Sequence, residues 1–143
     1  MLRVYCEAQR SEMLQADVAG FIQGMSSLLP DVDKKALLDT RYGMGQSVMD
    51  SFHEGLKSNA DGWIDDDLEF IQPWGFDLRE IEVPVIVYQG SEDKMVPFSH
   101  GEWLVKHLPQ ERLQKHLMQG EGHISVFFGQ AETMVDSLLA CRG

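Results

Sequence analysis

Apolar residues recur at spacings of three and four from Ser11 to Leu29, at Leu14, Val18, Phe21, Ile22, Met25, Leu28 and Leu29, and Pro30 ends the run. That period marks one buried face of a helix, so a single helix is expected over 11–29. Asp31 or Asp33 is placed to cap a short helix over "KKALLD". Val48, Met49, Phe52 and Leu56 mark another before the turn-forming "SNADG". Asp61 is expected to cap a helix in "GWIDDDLEF", with Trp63, Ile64 and Leu68 on one side. The first half thus reads as short helices without a strand.

At "PWGF" the pattern breaks. In "IEVPVIVYQG", Val83 and the β-branched run Val85 to Tyr88 are too continuous for a sheet with one wet face, so this strand is expected to be buried on both faces. A loop, "GSEDKMVP", leads into a helical "FSHGEWLVKHL". A weaker strand follows in "ERLQKHLMQG", and a final helix is expected through "VFFGQAETMVDSLLA". Strand, helix and strand in succession imply a right-handed crossover between parallel strands. The loops holding Asp93 and His123 would then leave the same carboxyl edge of the sheet, where open α/β sheets place their sites. The fold class is therefore α/β, a helical region over 1–78 followed by a parallel β-α-β-α unit over 79–143.

Charge narrows the partners. Twelve Lys and Arg against 23 Asp and Glu give a net charge of −11, which repels a phosphate backbone or an anionic membrane surface. Neither nucleic acid nor membrane is expected as a partner. Cys6 and Cys141 lie near opposite ends without C-x-x-C spacing, which fits reduced thiols in the cytoplasm better than a zinc knuckle or a disulfide framework. The start "MLRVYCEAQR" is too charged for a secretory signal, and no apolar run approaches the ~18 residues of a membrane span.

The residues that carry chemistry are Asp93 and His123. An imidazole with an ordinary pKa of about 6.5 accepts a proton near neutral pH, and a carboxylate on its other nitrogen fixes the tautomer and steadies the imidazolium. "IEVPVIVYQGSEDKMVPFSHGEWLVKHLP" followed by "GEGHIS" resembles the C-terminal part of the α/β-hydrolase fold family, in its proline-iminopeptidase-like and general ester or amide hydrolase branches. The resemblance rests on a Val/Pro strand, then G-x-x-D, "VP" and G-x-G-H, matched by Gly90, Asp93, Val96, Pro97, Gly120, Gly122 and His123. It implies that Asp93 is the acid and His123 the base of a Ser-His-acid triad, and that "DGWIDDDLEFIQPWGFDL" ends a helical lid. No cofactor or metal is implied.

The nucleophile is missing from this pattern. None of the ten serines lies in a G-x-S-x-G elbow between strand and helix, for "GMSSL" falls inside a helical run and "GMGQS" has the wrong spacing. An oxyanion loop of the H-G-G kind is absent as well. Both features precede the lid in the family, so Met1 reads as an internal methionine and the chain as the C-terminal portion of a longer hydrolase, trimmed or with a misassigned start. It is then inactive alone and meets a small ester or amide substrate only when the N-terminal half is supplied. A natural remnant is the alternative, a non-catalytic binding or assembly module with relic triad residues. In the family the inner edge of the Val83 to Tyr88 strand pairs with a strand outside this sequence. An open apolar edge is rarely tolerated, so a homo-oligomer is expected.

Other features read as structural. His53, His100, His107 and His116 show no H-E-x-x-H spacing and are read as surface residues. Asp65 to Asp67 lack the alternation of a calcium loop, and Gly43 and Gly45 lack the third glycine and preceding strand of a dinucleotide fingerprint. Trp63, Phe70, Trp74 and Phe76, with Met13, Met25, Met44 and Met49, fit the core of a helical lid layer, where thioethers fill irregular gaps, rather than the alternative of a substrate-pocket lining.

Overall fold

A computed structural model describes residues 1–141. In chain order it forms α1 (Leu2–Met13), α2 (Val18–Gly24), α3 (Asp31–Leu38), α4 (Met44–Leu56), α5 (Asp61–Glu69), β1 (Val85–Gly90), α6 (Phe98–His107), β2 (Leu113–Met118), α7 (Ser125–Phe128) and α8 (Ala131–Ala140). The chain divides into two compact units. One comprises Met1–Gly24 and Leu37–Gly75; the other comprises Met25–Ala36 and the chain from Phe76 onward.

The first unit is helical. α1 packs on α4 and α5, and α2 packs on α4. Cys6, Ala60 and Ile64 are buried together, with Leu2 and Trp63 against them. The spacing of Leu2, Cys6 and Arg10 puts these residues on one face of α1. Arg10 closes the C-terminus of α4, donating from its guanidinium to the carbonyls of Leu56 and Lys57. A cation is favoured there because the last carbonyls of a helix have no partner within it.

Two local expectations are corrected here. The 11–29 periodicity spans two helices, because Asp17 accepts a hydrogen bond from the Gly20 N–H at 2.8 Å and starts α2 afresh after the end of α1. Asp61 does not cap α5 but is its first residue and pairs with Arg3 at 2.5 Å. Asn59 accepts the Asp61 N–H at 3.0 Å and Glu7 accepts that of Ala60 at 3.1 Å, so an upstream helix supplies part of the cap. Leu68 is exposed rather than part of the Ile64 face.

The second unit is α/β. β1 and β2 pair in parallel, in register from Val85 opposite Leu113 to Gly90 opposite Met118, as the strand–helix–strand order predicts. α6 packs on both strands and α7 on β1. Within α6, Gly101 is pressed so closely on Gln89 that a Cβ there would fall 2.8 Å from its side-chain carbons. The expected burial of the first strand on both faces does not hold, since Val85 to Gln89 are each half-buried and Val83 is exposed ahead of the strand. A two-stranded sheet gives β1 one paired neighbour among the described residues, too few to enclose it. The expected last helix is also divided, at Gly129, into α7 and α8, because Gln130 leaves the helical region of backbone space at φ −123°. Among the described residues no helix is long and apolar enough to cross a membrane.

Candidate active site

Both strands end at the same edge, and their following turns are tied together. The Ser91 N–H donates to the Met118 carbonyl at 2.9 Å, the Glu92 N–H to the Glu121 carbonyl at 2.8 Å, and the Gly120 N–H to the Ser91 hydroxyl at 2.9 Å. The approach is close enough to require glycine. A Cβ on Gly90 would lie 2.2 Å from the Glu121 carbonyl oxygen and 2.5 Å from that of Gly122. Gly120 makes the turn at φ +80°, a conformation that L side chains rarely adopt.

Asp93 is fixed within its own turn. Its Oδ1 accepts the N–H groups of Met95 at 2.9 Å and Val96 at 2.8 Å. Its Oδ2 accepts the Gln89 amide at 3.0 Å and meets His123 Nδ1 at 2.9 Å. Gln89 is itself held, donating also to the Val96 carbonyl at 3.1 Å. The carboxylate side chain is only 4% exposed. Burial alone would raise its pKa, but the Val96 N–H, the His123 imidazole and the Met95 N–H outweigh it and hold the carboxyl below the ordinary value of 3.8.

An ionised carboxylate can only accept, so the proton between the two residues belongs to His123 Nδ1. The neutral ring then carries its lone pair at Nε2, which has no hydrogen-bond partner among the described residues. The His123 side chain is 45% exposed. Chemically the arrangement can serve as a base, with one nitrogen oriented by a buried carboxylate and the other open to a proton donor.

The backbone beneath His123 is held from a distant part of the sequence. Asp33, fully buried, accepts the N–H groups of His123 at 2.9 Å, Ile124 at 3.1 Å and Ser125 at 2.9 Å. This corrects its expected role as a cap for α3, where Pro30 supplies the carbonyl that accepts the Asp33 N–H. The Ser125 hydroxyl accepts the Gly122 N–H at 2.8 Å and is buried, so it is committed to the turn.

Sequence reasoning placed Asp93 and His123 on one edge, and the structure joins them by a direct hydrogen bond. It missed Gln89, whose one signal is a polar residue closing an apolar strand, and it missed the destination of Asp33, which has no local signal. Of the histidines read as surface residues, His100 and His107 are exposed, whereas His116 is half-buried against the Tyr88 ring at 4.3 Å and His53 buries its Nε2 without a partner. Among the described residues no group of three His, Cys, Asp or Glu side chains is placed to hold a metal ion. Two open, largely apolar grooves lie in the helical unit, one of about 390 Å³ bordered by Met44, Val48 and Phe52, the other of about 400 Å³ bordered by Met13, Phe52 and Trp63. Comparison with protein-family models, curated proteins and solved structures finds no significant match to this chain.

Proposed function

We propose that this chain carries the acid and the base of a serine-type α/β hydrolase acting on esters or amides, with Asp93 as acid and His123 as general base. Residues 1–78, apart from the Met25–Ala36 segment that belongs to the α/β unit, serve as its lid region, and residues from 79 onward as the C-terminal part of its core. The observation that carries this reading is the 2.9 Å contact between a nearly buried carboxylate and Nδ1 of a half-exposed imidazole. His123 Nε2 removes the proton of a serine hydroxyl as that oxygen attacks the substrate carbonyl carbon, and Asp93 stabilises the imidazolium. The same nitrogen returns the proton to the departing alkoxide or amine, and water repeats the sequence to release the acid.

The serine and the oxyanion donors stand, in this reading, on a strand–turn–helix segment other than these residues, because no serine here has the elbow setting. The chain by itself should therefore give no labelling with a fluorophosphonate probe above background. A protein that joins it to such a segment should be labelled at the elbow serine, and His123→Ala should abolish that labelling. Stoichiometric labelling of a serine in the isolated chain, or equal labelling with and without His123, would refute the assignment.

A second reading, a binding or assembly module whose partner is another copy of the chain, draws support from large apolar side chains left in solvent. Phe70 is 81% exposed and Ile71 76%, and on α8 Val135, Leu138 and Leu139 are each more than half exposed. Sedimentation equilibrium at tens of micromolar tests it: a dimer or larger species is expected, and a strict monomer would exclude it. Both cysteines are unpaired, which supports the cytoplasmic setting that belongs to either reading.

A further inference from the structure

We infer that Asp33 is a positioning residue for His123, a second carboxylate that sets the main chain from which the imidazole reaches Asp93; the inference rests on the reading of His123 as the base. α7 is a helix of four residues, and the first N–H groups of any helix have no partner within it. Asp33 supplies that partner with both oxygens, Oδ2 to the N–H of His123 and Oδ1 to those of Ile124 and Ser125. No Lys, Arg or His forms an ion pair with it among the described residues. A fully buried carboxylate without a cation is costly unless it is hydrogen-bonded, so the oxygens and the three amides hold one another in place.

Gly122 completes the seat. A Cβ at that position would lie 2.3 to 2.5 Å from all three atoms of the Asp33 carboxyl group, so the carboxylate rests directly over the residue before His123. His123 is consequently bracketed, with its main-chain nitrogen bonded to one aspartate and its Nδ1 to another. Its side chain is 45% exposed, and Asp93 supplies the one hydrogen bond that the ring makes among the described residues. The direction of its Cα–Cβ bond therefore has to come from the backbone, and Asp33 determines that backbone from a position 90 residues upstream.

The test uses the intact chain and does not need catalysis. Proton NMR should show a downfield Nδ1–H resonance for His123 that is absent in His123→Ala. In Asp33→Asn the side chain keeps its shape, but its NH2 group faces backbone donors. The His123 resonance should be lost, or exchange with water about 10-fold faster or more, and the amides of 123–125 should lose protection to a similar extent. Amides of β1 should stay within about twofold of the parent, showing that the sheet persists. An unchanged ring proton in a destabilised Asp33→Asn would overturn the inference and leave Asp33 a structural tie. Should that variant not fold, the parent protein decides at low urea: the three amides and the ring proton should open together, and a ring proton that survives while the amides exchange freely would overturn it equally. Serine labelling that proves independent of His123, alongside a ring proton that responds to Asp33→Asn, would refute the base assignment alone.

Discussion

Gly90→Ala is expected to lower the stability of the α/β unit by about 3 kcal/mol, the upper end of what overpacking a close contact costs. The added Cβ would meet the Glu121 carbonyl oxygen at 2.2 Å, its carbon at 2.5 Å and the Gly122 carbonyl oxygen at 2.5 Å. All three are main-chain atoms, which cannot swing aside as the tip of a side chain can. Relief would require the turn before His123 to lift off the end of β1, and the hydrogen bonds from Ser91, Glu92 and Gly120 would strain with it. Gly55→Ala is the matched control, since a Cβ in that helical position meets nothing within 4 Å. It should be neutral or raise stability by about 0.5–1 kcal/mol through the better helix propensity of alanine. Urea unfolding of both variants against the parent measures the difference, and a Gly90→Ala midpoint equal to that of the parent would refute the steric argument.

Substitution of Asp93 should affect stability, its pH dependence and activity together. Asp93→Ala leaves the N–H groups of Met95 and Val96 without their acceptor and the Gln89 amide with the Val96 carbonyl alone, at about 1–3 kcal/mol for each donor that stays dry and less where water enters. A net loss of about 3 kcal/mol is expected. The fold holds the Asp93 pKa below 3.8, so the folded state favours the ionised form. Its contribution is complete above the unfolded-state value near 3.8 and is lost as pH falls through the lower folded value. The gap in urea midpoint between parent and Asp93→Asn should therefore be widest near neutral pH and narrow below about pH 4. A gap that widens on acidification would show that burial, rather than hydrogen bonding, dominates this carboxyl group. In a protein with the elbow serine supplied, Asp93→Asn should also lower turnover on the order of 10⁴-fold, because an amide in that place can stabilise the wrong imidazole tautomer. Activity close to that of the parent would remove Asp93 from the mechanism.

What could be read from the sequence was what repeats locally or follows from chain topology. The spacing of Met49, Phe52 and Leu56 marks α4 because helical geometry returns to one face every three or four residues. The run Val85 to Tyr88 marks β1. A strand, a helix and a strand then imply parallel pairing, which brings the turns of Asp93 and His123 to one edge. Periodicity failed where one side chain overruled it, as Asp17 does in starting α2 within an otherwise continuous apolar pattern.

The tertiary structure decided everything that depends on partners far apart in sequence. The Asp93–His123 contact, the Gln89 amide on Asp93 and the seat of Asp33 under His123 join atoms up to 92 residues apart or fix the exact rotation of a side chain. Asp33 shows why such contacts leave no trace in the local pattern. An aspartate near the start of a helix satisfies a capping rule, and the same carboxylate can reach a different set of unpaired amides wherever the fold brings them close. Half-burial of β1 was likewise invisible, because the apolar run reports what a strand can bury, whereas the number of strands and helices around it sets how much it does bury. The helical and extended stretches, though not the breaks between α1 and α2 or between α7 and α8, were thus determined by the sequence through short-range geometry, and the shared edge through chain topology. The hydrogen bonds that aim the histidine were decided by the folded chain alone, because their partners become neighbours only after the two turns and the Asp33 segment have come together.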